Sequence, residues 1–239
     1  MKVEVWFREF VHPTYPVVRR SLELDNDKIA LLIIDMQNHF IHPEGNFGKR
    51  GMDMDAARKT IQPTTKIANA CRKAEIPVIY AKHTDRPHYC DHSNMFYELT
   101  YFRKQDIIPK ITPRLIKEMG ASAGLTIDPW SRHIVDELTP QADEIVIDSK
   151  HIFSCFYQTD LEFVLRQLRT ETIFFTGVTT SICVETTIRD AFHRDFRCIL
   201  VDDCTWERKK EMETASKEVI SMNFGYLTSS QDVLKALRD

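Results

Sequence analysis

Residues 172–194 read TIFFTGVTTSICVETTIRDAFHR. The opening TIFFT is short and rich in β-branched and aromatic side chains, the composition of a strand buried on both faces. From Cys183 to Arg194 the apolar period becomes helical, with Val184, Thr187, Ile188 and Ala191 on one face. Gly177 stands where one pattern gives way to the other. A strand, a glycine turn and a helix in that order are half of a βαβ unit, and the same alternation recurs on both sides of it.

Working outward, the short apolar runs are IALLII at 29–34, IPVIYA at 76–81, EIVI at 144–147, CILV at 198–201 and the weaker FGYLT at 224–228. Helical patterns lie between them. The stretch 55–74 carries Ile61, Ile67, Ala68 and Cys71, and 159–169 places Leu161, Val164, Leu165 and Leu168 on one face. Six such alternations predict an α/β fold: a three-layer α/β/α sandwich, Rossmann-like, around a six-stranded, mainly parallel sheet with right-handed crossovers. Residues 28–239 read as one domain and 1–27 as an N-terminal extension. Residues 84–133 break the rhythm with aromatic, histidine and basic residues, and are expected to form an active-site wall or an oligomer contact.

Composition removes several function classes. The 239 residues include seven glycines, below the average of about 7%, and none form G-x-G or G-x-x-x-x-G-K. The glycine cradles of dinucleotide and triphosphate sites are therefore missing. Lys plus Arg is 32 against Asp plus Glu at 35, a net charge of −3. That balance offers no basic field for nucleic acid or an anionic membrane. The longest purely apolar run, 29–34, is far short of the ~20 residues that span a bilayer. The opening MKVEVWFREFVHP lacks the apolar core of a signal peptide, so a cytoplasmic protein is expected. None of the six cysteines pair as C-x-x-C, which disfavours a redox motif and a zinc ribbon.

Ligands of an open parallel sheet bind beyond the carboxyl ends of its strands. Past IALLII stands Asp35, past EIVI stand Asp148, Ser149 and Lys150, and past TIFFT runs Gly177 to Cys183. An acid, an amine and a thiol thus converge on one edge. Cys183 opens a helical pattern, so the helix dipole is expected to favour its thiolate. Taken singly, each residue also has an ordinary role: Asp35 as a cap, Lys150 as a surface charge, Cys183 as a small buried hydrophobe. Cys71 and Cys198 read as core residues, and Cys155 as a residue lining the pocket without taking part.

Three segments, IALLIIDMQNHF, DSKHIFSCFYQTDL and FFTGVTTSICVETTIRDAFHRDFRCILVDDC, resemble the signature segments of the isochorismatase-like cysteine hydrolases. The resemblance covers roughly residues 28 to 230. It implies Cys183 as nucleophile, Asp35 as general acid/base and Lys150 as the third member of a triad. It also implies a cis peptide between Val178 and Thr179 and an oxyanion hole formed by the N–H groups of Thr179 and Cys183. Phe40 and Asn38 become candidates for substrate contact, with core filling the alternative for Phe40. Nicotinamidases of this superfamily carry an Asp/His metal site, but residues 52–55 here read MDMD. The cluster His83, His88, Cys90, Asp91 and His92 fits no zinc template, so no metal and no cofactor are expected.

Residues 130–148 and the helix after Cys183 look closest to the biuret and ureidoacrylate amidohydrolases. The implied activity is hydrolysis of a C–N bond in a small linear amide, ureide or carbamoyl compound through a thioester, by a homo-oligomer (dimer or tetramer). The run FSCFYQ at 153–158 departs from the small residues usual after the lysine and leaves the substrate open. A nicotinamidase or isochorismatase type of hydrolase, or a non-catalytic scaffold on the same fold, are the alternatives.

Overall fold

The computed structural model describes residues 1–9, 15–85, 94–99, 109–110, 112, 114–115 and 129–238. Its strands are β1 (Lys2–Arg8), β2 (Val17–Glu23), β3 (Ile29–Ile34), β4 (Val78–His83), β5 (Ile145–Lys150), β6 (Thr172–Val178), β7 (Arg197–Trp206) and β8 (Tyr226–Thr228). They form one sheet in the order β2-β1-β8-β7-β6-β3-β4-β5. From β8 to β5 neighbouring strands are parallel.

β3 shows why this sheet has a layer on each face. All six of its residues are buried. Ile29, Leu31 and Ile33 enter one core with the helices Met54–Arg58, Ile61–Lys73 and Ser230–Ala236. Ala30, Leu32 and Ile34 enter the other with Leu161–Gln167, Glu185–Phe192 and Lys210–Asn223. Successive side chains point to opposite faces, so an unbroken apolar run can feed both cores. The three-layer α/β/α architecture is as expected.

The strand count is not: among the described residues the sheet has eight strands where six were expected. The extension 1–27 supplies the two others as an antiparallel hairpin, in register from Lys2↔Glu23 to Arg8↔Val17. It joins the sheet antiparallel to β8 through Trp6↔Leu227. In KVEVWFR the alternation is plain, with Val3 and Val5 buried and Lys2 and Glu4 exposed. Period-2 burial of this kind holds a hairpin on a core.

The single helix expected over 55–74 is two, Met54–Arg58 and Ile61–Lys73. Pro63 explains the break. Its ring would clash with the carbonyl four residues back, at Lys59, so the helix restarts where Pro63 sits in the first turn and its missing N–H is not needed. Thr60 Oγ bonds the Ala57 carbonyl at 2.7 Å across the join. Most of 84–133, assigned to a wall or oligomer contact, lies outside the described residues. Among the described residues no helix is long and apolar enough to cross a membrane.

Candidate active site

The chain leaves β3 for β4 and β5 on one side and later returns β6 to the other side of β3. The crevice between the carboxyl ends of β3 and β6 is therefore a topological switch point. Gly177 lets the two strand ends meet there. Its φ is +117°, and an added Cβ would lie 2.0 Å from the Ile34 carbonyl oxygen.

Asp35 follows β3 directly. It takes a positive φ of 54°, a region aspartate enters more readily than most residues, and its N–H donates to the Ala81 carbonyl at 2.8 Å. Lys150 ends β5, the outer strand, and reaches inward to place Nζ 2.7 Å from Asp35 Oδ2. Nζ also lies 3.6 Å from Cys183 Sγ. Asp35 and Lys150 are wholly buried and Cys183 nearly so. The three residues read from the ends of separate strands thus form one cluster.

Burial by itself lowers the Lys150 pKa, but the carboxylate of Asp35, with Cys183 and Cys155, outweighs it and keeps the ammonium charged. Asp35 Oδ1 receives no N–H or O–H donor among the described residues. Burial, the Asp35 charge and a hydrogen bond to Asp35 push the Cys183 thiol well up, against the pull of Lys150. The expectation of a favoured thiolate is not met by these surroundings, in which burial and the Asp35 charge both favour the thiol form. Two physical reasons account for it. Cys183 lies within a turn of π-helix, Thr180–Val184, ahead of the helix Glu185–Phe192, and burial and the Asp35 charge oppose ionisation there.

The Val178–Thr179 peptide is cis, as the resemblance implies. In the turn that follows, the N–H groups of Ile182 and Val184 donate to the Thr179 carbonyl, each at 3.2 Å. The Ser181 N–H donates to Glu207 Oε2 at 2.9 Å. Thr187 Oγ donates to the Cys183 carbonyl at 2.6 Å and accepts from the Cys155 N–H at 3.1 Å. Cys155 is buried rather than open to solvent, and burial lifts its thiol to about 12.

Asn38 and Phe40 have internal partners. Asn38 donates its side-chain amide to the Trp130 carbonyl at 3.1 Å. Phe40 is half-buried against the core, edge-on to Phe47 at 5.2 Å and to His83 at 6.2 Å. His83 faces Asp85 at 3.3 Å, while His88, Cys90, Asp91 and His92 lie outside the described residues. Sequence reading missed Gln37, whose buried amide accepts from the His83 N–H at 2.7 Å and donates to the carbonyls of His83 and Arg132 at 2.9 and 3.1 Å. It pins the exits of β3 and β4 to the segment before β5. A glutamine beside the acid after a β-strand was the available signal.

Residues 29–232 match the isochorismatase domain. The chain belongs to the isochorismatase family. It is similar to the ureidoacrylate amidohydrolase RutB of Pseudomonas syringae pv. syringae, 28% identical over 222 residues that cover 91% of this chain and 86% of the relative. RutB of Azorhizobium caulinodans is 26% identical over 92% of this chain and 95% of its own. Among solved structures, a cysteine hydrolase from Pseudomonas syringae pv. phaseolicola superposes with a TM-score of 0.73 at 25% identity, covering 91% of this chain and 95% of the other. N-carbamoylsarcosine amidase from Thermoplasma acidophilum gives 0.62 at 26% identity, with 85% and 96% covered. This isochorismatase-family hydrolase shares its fold with those structures, and in this chain the strand ends bring together Asp35, Lys150 and Cys183.

Proposed function

We propose that the protein is an amidohydrolase that uses Cys183 to cleave the C–N bond of a small linear amide, ureide or carbamoyl compound. The observation that carries this reading is the buried carboxylate–ammonium–thiol cluster, with 2.7 and 3.6 Å between its members. The names of the relatives, ureidoacrylate amidohydrolase and N-carbamoylsarcosine amidase, support the class of bond.

The resting thiol sets the order of events. Asp35 takes the Cys183 proton as Sγ bonds to the substrate carbonyl carbon, and the Lys150 ammonium offsets the negative charge that gathers between them. The carbonyl oxygen becomes an oxyanion. We assign the N–H groups of Thr179 and Cys183 to it, donors of a kind worth about 10²–10³ in rate each. Protonated Asp35 then gives its proton to the leaving nitrogen, the C–N bond breaks, and ammonia or an amine departs from a thioester. Water attacks the thioester carbon as Asp35 takes one of its protons, the C–S bond breaks, and Sγ recovers a proton.

The test is ammonia release from a panel of amides and ureides by the wild type and Cys183→Ser. Loss of at least ~10³-fold in the variant, with the fold unchanged, is the expected result. Activity that survives the substitution would sink the thioester route.

A further inference from the structure

Glu207 lies one residue past β7, far from the substrate side of Cys183 in sequence, yet its side chain is fully buried. Its carboxylate accepts four hydrogen bonds. Oε2 takes the Ser181 N–H at 2.9 Å and the Ser181 hydroxyl at 2.6 Å. Oε1 takes the Arg208 N–H at 2.8 Å and Arg208 Nε at 3.2 Å. Ser181 is the midpoint of the segment from Thr179 to Cys183. Neutral hydroxyls hold other points of this turn, Ser216 on the Thr180 carbonyl at 3.4 Å and Thr187 on the Cys183 carbonyl at 2.6 Å. Its centre is held by a charge.

We infer that Glu207 is a positioning residue for the nucleophile turn, fixing through Ser181 the spacing between the Thr179 N–H and the Cys183 thiol. For turnover this rests on the amidohydrolase reading; for the order of the turn it rests on the four bonds alone. A carboxylate suits the task because hydrogen bonds to an ionised acceptor are roughly twice as strong as neutral ones. Burial raises the Glu207 pKa, and the bonds from Ser181 and Arg208 outweigh it and hold the group below the usual carboxylate range. An amide of the same shape would present N–H groups to donors on one side and lose the bonds there.

The experiment compares Glu207→Gln and Ser181→Ala with the wild type. In E207Q, kcat is expected to fall about 10–100-fold, the scale of a misplaced reacting group. KM should stay within about twofold, since ground-state binding is untouched. Amide hydrogen exchange of residues 179–184, read by mass spectrometry, should speed up by about tenfold or more while β1 and β2 keep their protection. S181A keeps the backbone bond and loses the hydroxyl, so both effects should be smaller and in the same direction. An unchanged kcat in E207Q overturns the assignment, as does faster exchange across the whole sheet. If E207Q fails to fold, unchanged kcat and exchange in S181A overturn it instead. Should C183S retain ammonia release, the assignment of Cys183 as nucleophile has failed, and exchange at 179–184 alone then decides Glu207.

Discussion

β2 and β5 are the outer strands of the same sheet, yet β2 turns Arg19, Arg20 and Ser21 to solvent while β5 ends on a lysine with no exposed surface. On β2 the charges stay at the surface, Arg19 over the Trp6 ring and Arg20 over those of Phe7 and Tyr226, and an edge lined with charge discourages another chain from pairing with it. On β5 the charge is drawn under the crevice and survives because Asp35 meets it at 2.7 Å. Burying a charge is tolerable only with a partner that is itself held in place. One edge of the sheet therefore tolerates substitution, and the other concentrates both chemistry and vulnerability.

Lys150→Met is the harshest way to break that contrast. It strands the Asp35 carboxylate in the core, an uncompensated charge of the kind that costs about 3–5 kcal/mol. Urea unfolding should report a loss of that size, with ammonia release abolished. The double variant Asp35→Asn/Lys150→Met removes both charges and should recover most of the stability and none of the activity. A single variant within about 1 kcal/mol of wild type would mean that the pair is not buried as an ion pair.

Val5→Ala tests the other edge. Val5 is buried on the core face of β1, and deleting its two methyl groups should cost about 1.5–3 kcal/mol in transfer and cavity terms. Turnover per folded molecule should stay at the wild-type value, because the hairpin pairs with β8 and not with the strands that carry the cluster. A fall in kcat beyond the loss of folded protein would show that the hairpin acts on the crevice and erase the distinction between the edges.

The parallel half of the sheet was legible because its strands are apolar runs on which both cores depend, and Asp35, Lys150 and Cys183 were legible because each stands at or just past the end of one. The hairpin was not. Its pattern, KVEV, is as clear as any strand's, but the segment is short, charged on alternate residues and separated from its partner β8 by most of the chain. Glu207 opens the charged run ERKKE and reads as a solvated surface residue. Its burial depends on a bond to Ser181, 26 residues away. The surroundings of Cys183 were hidden for a related reason: local helix chemistry can be read from neighbouring residues, whereas the Asp35 charge and the burial that oppose ionisation arise only on folding.

Buried thiols extend the contrast to a smaller effect. Cys71, on the helix whose Arg72 ties Glu144 ahead of β5, is lifted to about 12 by burial, with Arg72 opposing. An unfolded thiol titrates near 8.5. Between those values the folded chain keeps a proton that the unfolded chain has lost, so this thiol's contribution to stability is complete below about pH 8.5 and declines as the pH rises. Each such group adds a slope of about 1.4 kcal/mol per pH unit. Cys71→Ala removes one. Measured by urea unfolding, the stability difference between wild type and variant should be constant from pH 7 to 8 and then shift in favour of the variant by about 1.4 kcal/mol per unit toward pH 10. A difference that stays flat to pH 10 would mean that water reaches Cys71, and the interior on the β5 side would then be no drier than the surface of β2.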